Sequence, residues 1–241
     1  MKKIFAFMAV TLLLVNNAMA QEGLAFGLRV NPTMNWVAAT PTNTAYSVES
    51  AGVRGGIAFG PSLRYGFSDN FNMDLTAIFS WQRFAIEQKG EVPALAIAKP
   101  VNNTENFKLQ YLQFPLNLNG QFGIADNVKA LINFGFGVNI KLKDERKVDY
   151  NSKLPPPYIQ DNEYRETKVI TPVDIFLMAG AGFGYDFADN LHLTLTIQYQ
   201  NGLLDGWHDS KNEKEVSTIL HDELKLNHRS VNFNLGFYID F

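Results

Sequence analysis

Val231-Asn-Phe-Asn-Leu-Gly-Phe-Tyr-Ile-Asp-Phe241 alternates apolar and polar residues almost without error and stops on a phenylalanine. Val231, Phe233, Leu235, Phe237, Ile239 and Phe241 share one face, and Asn232, Asn234, Gly236, Tyr238 and Asp240 share the other. Period two over such a length reads as a strand with one face in an apolar medium. Its length and aromatic end predict the closing strand of a barrel in a lipid bilayer.

Seven further tracts alternate in the same way. They run about 24–36, 53–66, 71–84, 107–123, 128–142, 169–187 and 191–203, and the C-terminal strand begins near Leu224. In 128–142, for example, Val128, Ala130, Ile132, Phe134, Phe136, Val138, Ile140 and Leu142 oppose Asn133, Gly135, Gly137, Asn139 and Lys141. A soluble sandwich would also alternate, but here the apolar face persists for the ~10 residues that a tilted strand needs to cross a bilayer. The polar faces carry isolated charges and few Lys/Glu pairs, as a narrow enclosed interior would.

The connections alternate short and long. Phe67-Ser-Asp-Asn-Phe71, Ile124-Ala-Asp-Asn-Val128 and Phe187-Ala-Asp-Asn-Leu191 are near-copies of one tight turn. Asp and Asn suit it because both tolerate left-handed backbone and hydrogen-bond nearby amides. The long connections, 37–52, 85–106, 143–168 and 204–223, are polar and turn-rich. The predicted fold is therefore all-β: an eight-stranded antiparallel up-and-down transmembrane β-barrel with short periplasmic turns, long extracellular loops and both termini in the periplasm. Trp36, Trp81 and Trp207 fall on the loop side and Phe67, Phe122, Phe187 and Phe241 on the turn side, which predicts two membrane girdles. Phe84 and Phe107 join the loop-side aromatics in this reading. Prolines 32, 61, 115 and 172 each remove a ladder donor, so bulges or lost pairing are expected there.

The chain opens Met1-Lys2-Lys3, continues apolar from Ile4 to Val15 and reaches Ala18-Met19-Ala20. This predicts a secretory signal peptide over 1–20, cleaved after Ala20, and one outer-membrane barrel domain over 21–241. The chain has no cysteine, which removes disulfides, thiol nucleophiles and a cysteine-linked lipid anchor. With a formal net charge of −3 and no basic block, a nucleic-acid partner is not expected. Outer-membrane lipid is the expected surrounding.

An eight-stranded barrel is just wide enough for side chains to fill it. Arg29, Arg64, Asp74, Asp174, Asp186, Asn117 and Asn133 are expected to form a polar network in the lumen, with Arg54, Asn119 and Asn232 in support, because buried charges need partners. The inward glycines either leave a hydrated path or make room for neighbours such as Arg64, Phe176 and Met178. The loop over 143–168 mixes both charge signs and contains Tyr150, Pro155, Pro156, Pro157 and Tyr158, an apolar-aromatic stretch that reads either as a partner-binding epitope or as a segment packed on the barrel mouth. His208, Asp209 and Ser210 are adjacent, which is poor geometry for catalysis because neighbours on a strand point oppositely. His192 lacks a carboxylate cluster in sequence. No catalytic, metal or cofactor site is expected, and the Asp-Asn turns lack the glycine and trailing glutamate of a calcium loop.

Tyr111-Leu-Gln-Phe-Pro-Leu-Asn-Leu118 resembles the Tyr-Leu-x-x-Pro-Leu strand of the PorT-like porin family, small outer-membrane barrels of Bacteroidota. Gly180-Ala-Gly-Phe-Gly-Tyr-Asp-Phe187, followed by Leu193–Tyr199 and Gly202-Leu203, is similar to that family's glycine-rich strand, tight turn and next strand. Gly27-Leu-Arg-Val-Asn31 is similar to its opening strand. The resemblance implies a non-enzymatic barrel, an accessory of type IX-like secretion or of a surface assembly, with other secretion or outer-membrane complex subunits as partners. The alternatives are a narrow channel for ions or small solutes and loop-mediated adhesion or ligand binding.

Overall fold

The computed structural model describes residues 23–41, 46–91, 100–150, 163–206 and 224–241. Eleven strands form one sheet: β1 (Leu24–Pro41), β2 (Tyr46–Ser50), β3 (Arg54–Ser68), β4 (Phe71–Thr76), β5 (Ile78–Glu91), β6 (Pro100–Ala125), β7 (Val128–Tyr150), β8 (Arg165–Glu166), β9 (Val173–Ala188), β10 (Leu191–Gly202) and β11 (Leu224–Asp240). No helix occurs among the described residues. β4 and β5 continue one another as a single stave, and β2 and β8 are short additions to β5 and β7. The eight staves then close: β1 pairs β3, β3 pairs β4 and β5, these pair β6, and β6, β7, β9, β10 and β11 follow. β11 returns to β1 along a register from Ala25↔Asp240 to Pro41↔Leu224. Every pairing is antiparallel. The fold is the expected eight-stranded barrel, and closure leaves no edge among the staves.

Inside and outside follow the period-two pattern. Ile132, Phe134, Phe136 and Ile140 lie exposed on the outer wall, while Leu131, Asn133 and Asn139 are buried. Trp81, Phe67, Phe122, Phe187 and Phe241 are exposed on the outer surface and Trp36 is partly exposed. Trp207 lies outside the described residues.

The three Asp-Asn turns share one end of the barrel and one task. Asn70 accepts the amide of Gln121, Asn127 that of Asp186 and Asn190 that of Asp240, at 2.8, 2.9 and 3.0 Å through their backbone carbonyls. Each turn therefore caps the staggered end of the next stave, which explains why the motif repeats.

Two expectations need correction. The regions 37–52, 85–106 and 143–168 are in good part strand, since β5 runs to Glu91, β6 starts at Pro100 and β7 runs to Tyr150. They read as loops because the pattern inverts along β5, and because the inward positions of β6 and β7 turn polar, with Asn103, Glu105 and Asp144 buried. Beyond Trp81 the outward residues become Arg83, Glu87 and Lys89, while the buried ones become Phe84, Ile86 and Gln88. Phe84 and Phe107 accordingly point inward, 3% and 1% exposed, and do not belong to a girdle.

The prolines act locally. Pairing of β1 with β11 skips from Val30↔Leu235 to Thr33↔Asn232 around Pro32. The break at Ala77 that divides β4 from β5 falls between Pro61 on β3 and Pro115 on β6, two flanking positions without an amide donor. Pro172 sits in a bend just before β9.

The inward glycines are occupied by neighbours. A Cβ on Gly137 would overlap the Phe176 ring, and one on Gly135 would press on Met178 and the Leu116 carbonyl. Gly137→Ala is therefore expected to lower stability by roughly 1–3 kcal/mol, the usual cost of overpacking. Urea titration of the protein folded in lipid vesicles checks this, and adding Phe176→Leu should recover only the part of the loss due to the ring, because the Phe114 carbonyl, 2.8 Å from that Cβ, stays in place.

Candidate functional site

The lumen is the site the fold builds. Near its turn-side half lies a charged centre. Asp74, fully buried, accepts from Arg64 Nε at 2.7 Å and from Arg29 at 3.1 Å. The Tyr238 hydroxyl accepts from Arg29 Nε at 2.8 Å and donates to Asp74 at 3.3 Å. The Arg64 guanidinium lies 3.6 Å from the centre of the Tyr238 ring. The arrangement joins β1, β3, β4 and β11 across the closing seam.

Above it the network is neutral. Gln198 donates to Asn117 at 2.9 Å and to Asn133 at 2.8 Å, and accepts from Asn234. Higher still, Gln113 donates to Asn139 at 2.7 Å, Asn139 contacts Asp174 at 3.5 Å, and Asn232 donates to Gln200. The structure thus brings Arg29, Arg64 and Asp74 together, sets Asn117 opposite Asp74 in the β4–β6 ladder but joins it and Asn133 to Gln198, and places Asp174 on another level. Arg54 does not join them: its guanidinium stays near the Val53 carbonyl at the start of β3.

Asp186 lies apart, at the turn-side mouth. It binds Lys129 at 2.8 Å and His192 Nδ1 at 2.7 Å, and His192 Nε2 meets Asp240 at 2.6 Å. His192 therefore does have a carboxylate on each side; Asp186 is six residues before it and Asp240 is 48 residues after, so no local motif announces them. A neutral imidazole has one N–H, so both contacts are hydrogen bonds only when one partner carries an extra proton. A polar cavity of about 140 Å³ opens beside this group. A void at mid-lumen is about 20 Å³, room for roughly one water.

The loop-side end is packed with apolar side chains. Val37, Val48, Phe84, Ile86, Phe107, Leu109, Tyr111 and Leu226 converge inside the barrel, joined by Val169 and Ile170 from the segment before β9. The Phe84 and Phe107 rings stack at 4.8 Å. The Lys141–Asp144 ion pair, 2.8 Å, holds the inserted segment by its backbone: Lys141 donates to the Ile170 carbonyl and Asp144 accepts the Ile170 amide at 3.3 Å. Glu105 sits beyond this plug with Arg146 at 3.1 Å, and burial pushes its carboxyl above the usual range against the pull of Arg146 and Gln88.

Sequence reasoning missed Tyr238, Gln198, Lys141 and Asp144 as structural keys. The phase of β11 already put Tyr238 on the inner face, while nothing local marks Ile170 as an inserted residue. The partner epitope Pro155, Pro156, Pro157 and Tyr158 lies outside the described residues, as do His208, Asp209 and Ser210, and Tyr150 marks only the end of β7. Among the described residues no group of histidines and carboxylates is arranged to hold a metal ion.

A closed antiparallel barrel with an apolar outer belt and a polar, filled interior defines an outer-membrane β-barrel protein. The chain belongs to the outer membrane protein β-barrel domain family, whose model matches residues 19–205. No curated protein matches it significantly. Among solved structures it is similar to Neisserial surface protein A, at 14% identity and TM-score 0.46, with 91% of this chain and 100% of that one covered. It is also similar to Ail, the attachment invasion locus protein of Yersinia pestis, at 13% identity and TM-score 0.33, covering 90% and 100%. The Escherichia coli outer membrane protease OmpT aligns at 7% identity and TM-score 0.44, covering 92% and 99%.

Removing the Asp74 carboxylate leaves two arginines buried without their counter-ion. Asp74→Ala is expected to cost roughly 3–5 kcal/mol, whereas the triple change R29M/R64M/D74L should stay much closer to the parent because it removes the charges together. Urea titration followed by tryptophan fluorescence in vesicles separates the two.

Proposed function

We propose that the protein is a non-enzymatic, non-conducting barrel that displays its loop end outside the cell as an accessory of a secretion or surface assembly. The observation that carries this reading is the apolar plug at the loop-side mouth. An ion crossing the lumen would meet a water-sized void at mid-height and then a packed cluster around Phe84, Phe107 and Ile170. Dehydrating an ion in such surroundings is prohibitive. The long β6–β7 hairpin supports display: beyond Leu142 it continues to Tyr150, ~26 Å along the strand at ~3.3 Å per residue. A rigid scaffold carrying variable tips is where barrels commonly place binding. The type IX-like assignment rests on the resemblance at Tyr111–Leu118 and Gly180–Leu203, and the signal peptide and 21–241 domain division belong to the same reading.

Two measurements test it. Detergent-free capture of the native protein from outer membranes is expected to recover larger assembly subunits in stoichiometric amounts, with no single-channel steps from the purified barrel. Recovery of the protein alone together with ohmic steps would overturn the reading. The double change K141A/D144A, which frees Ile170, should give conductance where the parent gives none. Orientation is read separately: the chain has no cysteine, so a membrane-impermeant maleimide should label Glu163→Cys on intact cells.

A further inference from the structure

The charges just beyond the apolar belt differ in sign at the two ends. At the turn end the tips carry the exposed Asp69, Asp126 and Asp189. At the loop end the cationic outward positions next to the belt are Arg83 on β5, Lys143 on β7 and Arg229 on β11, with Lys108 on β6 one step further out, and the acids Glu145 and Asp205 lie among them.

Arg83 and Lys108 are directly opposite each other in the β5–β6 ladder. Both face outward, since Gln82, Phe84, Phe107 and Leu109 on either side are buried. Like charges facing each other across a ladder are destabilising. Neither side chain is neutralised in place. Among the described residues Arg83 has no acidic partner, and the Lys108 ammonium rests 3.4 Å from the centre of the Tyr164 ring. Glu145, opposite Lys108 on β7, is bound to Lys143 at 2.5 Å, and Glu87 is bound to Lys89 at 3.3 Å.

Directly below lies an aromatic patch on the outer wall. Trp81 packs edge-on against Phe79 at 4.5 Å and tilts onto Phe59 at 5.6 Å. Tryptophan marks the depth of the membrane interface, and Arg83 is two residues further out, ~7 Å along the strand. That is headgroup depth.

We propose that Arg83 and Lys108 form a binding site for the phosphate of an anionic glycolipid in the leaflet at the loop end, whose acyl chains lie along Trp81, Phe79 and Phe59. The guanidinium fork grips two phosphate oxygens and the ammonium adds a compact charge. The bound phosphate converts the repulsion between the two cations into a bridge. Charge complementarity and depth together select a membrane lipid over a soluble anion, because a free anion gains nothing from the aromatic patch. The identity of the leaflet as the outer one rests on the loop-outward reading above, whereas the site itself does not.

The test uses the full-length protein in neutral detergent micelles, where orientation plays no part, and follows binding of monophosphorylated lipid A by native mass spectrometry. The parent is expected to prefer it to the dephosphorylated form by about tenfold, corresponding to ~1.4 kcal/mol. R83Q/K108Q should abolish that preference while keeping the heat-modifiable mobility of a folded barrel; R229Q, on another stave, should keep it. Equal binding of the two lipids would overturn the proposal, as would an unchanged preference in R83Q/K108Q. An equal loss in R229Q would reduce the effect to diffuse charge and also overturn it, and so would displacement by equimolar inorganic phosphate. Should R83Q/K108Q fail to fold, R83K and K108Q singly replace it, each expected to weaken the preference. Labelling of Glu163→Cys decides orientation independently of this result.

Discussion

The rest of the structure depends on one constraint: no water is available at mid-membrane to satisfy a backbone amide or carbonyl. Every such group must find a partner in the protein, and a sheet achieves this only by closing. The seam between β1 and β11 completes the ring, and its side chains are tied as firmly as its backbone. Arg29 from β1, Tyr238 from β11 and Asp74 from β4 meet in one buried group at that seam. The same constraint explains the amide–carbonyl caps at the three turns, because each stagger between staves would otherwise leave a strand end unpaired.

Closure with eight strands fixes the radius, and the radius fixes what the interior can be. Inward positions must fill space and satisfy polar atoms together. Near the turn end they do so with charge, in the middle with asparagine and glutamine amides, and at the loop end with apolar side chains. The last step inverts the chemistry of the wall. Once the strands leave the bilayer their outer face meets water and their inner face becomes an ordinary small hydrophobic core around Phe84, Phe107 and Ile170.

This inversion decides how much was legible in the sequence. Within the belt, strict alternation fixed eight staves, their faces and the short turns, because only one register keeps Ile132, Phe134 and Phe136 in lipid. Above the belt the apolar residues of β5 change face, while β6 and β7 carry polar residues such as Glu105 and Asp144 inward, so 85–106 and much of 143–168 lose the expected phase and resemble loops. The inward side of Tyr238 was readable from its phase in β11, but its partners were not. Arg29, Asp74 and Tyr238 are 45 and 164 residues apart along the chain, and only closure brings them together. The flanking carboxylates of His192 escape local reading for the same reason.

The two faces of the loop-end wall then have different freedom. Its inner face is committed to the plug, where Lys141 and Asp144 use their charges on the Ile170 backbone. Its outer face carries cations that the inner network does not use. Arg83 and Lys108 oppose each other because neither can turn inward without entering the apolar core formed by Phe84 and Phe107. A like-charge pair held outward in this way, just above a tryptophan, has few means of relief within the protein. Solvent screens it weakly at the membrane surface, and a phosphate at the same depth removes the repulsion altogether. The apolar cluster inside the loop-side end and the cationic outer wall are thus two results of one event, the exchange of environments where the strands emerge from the bilayer.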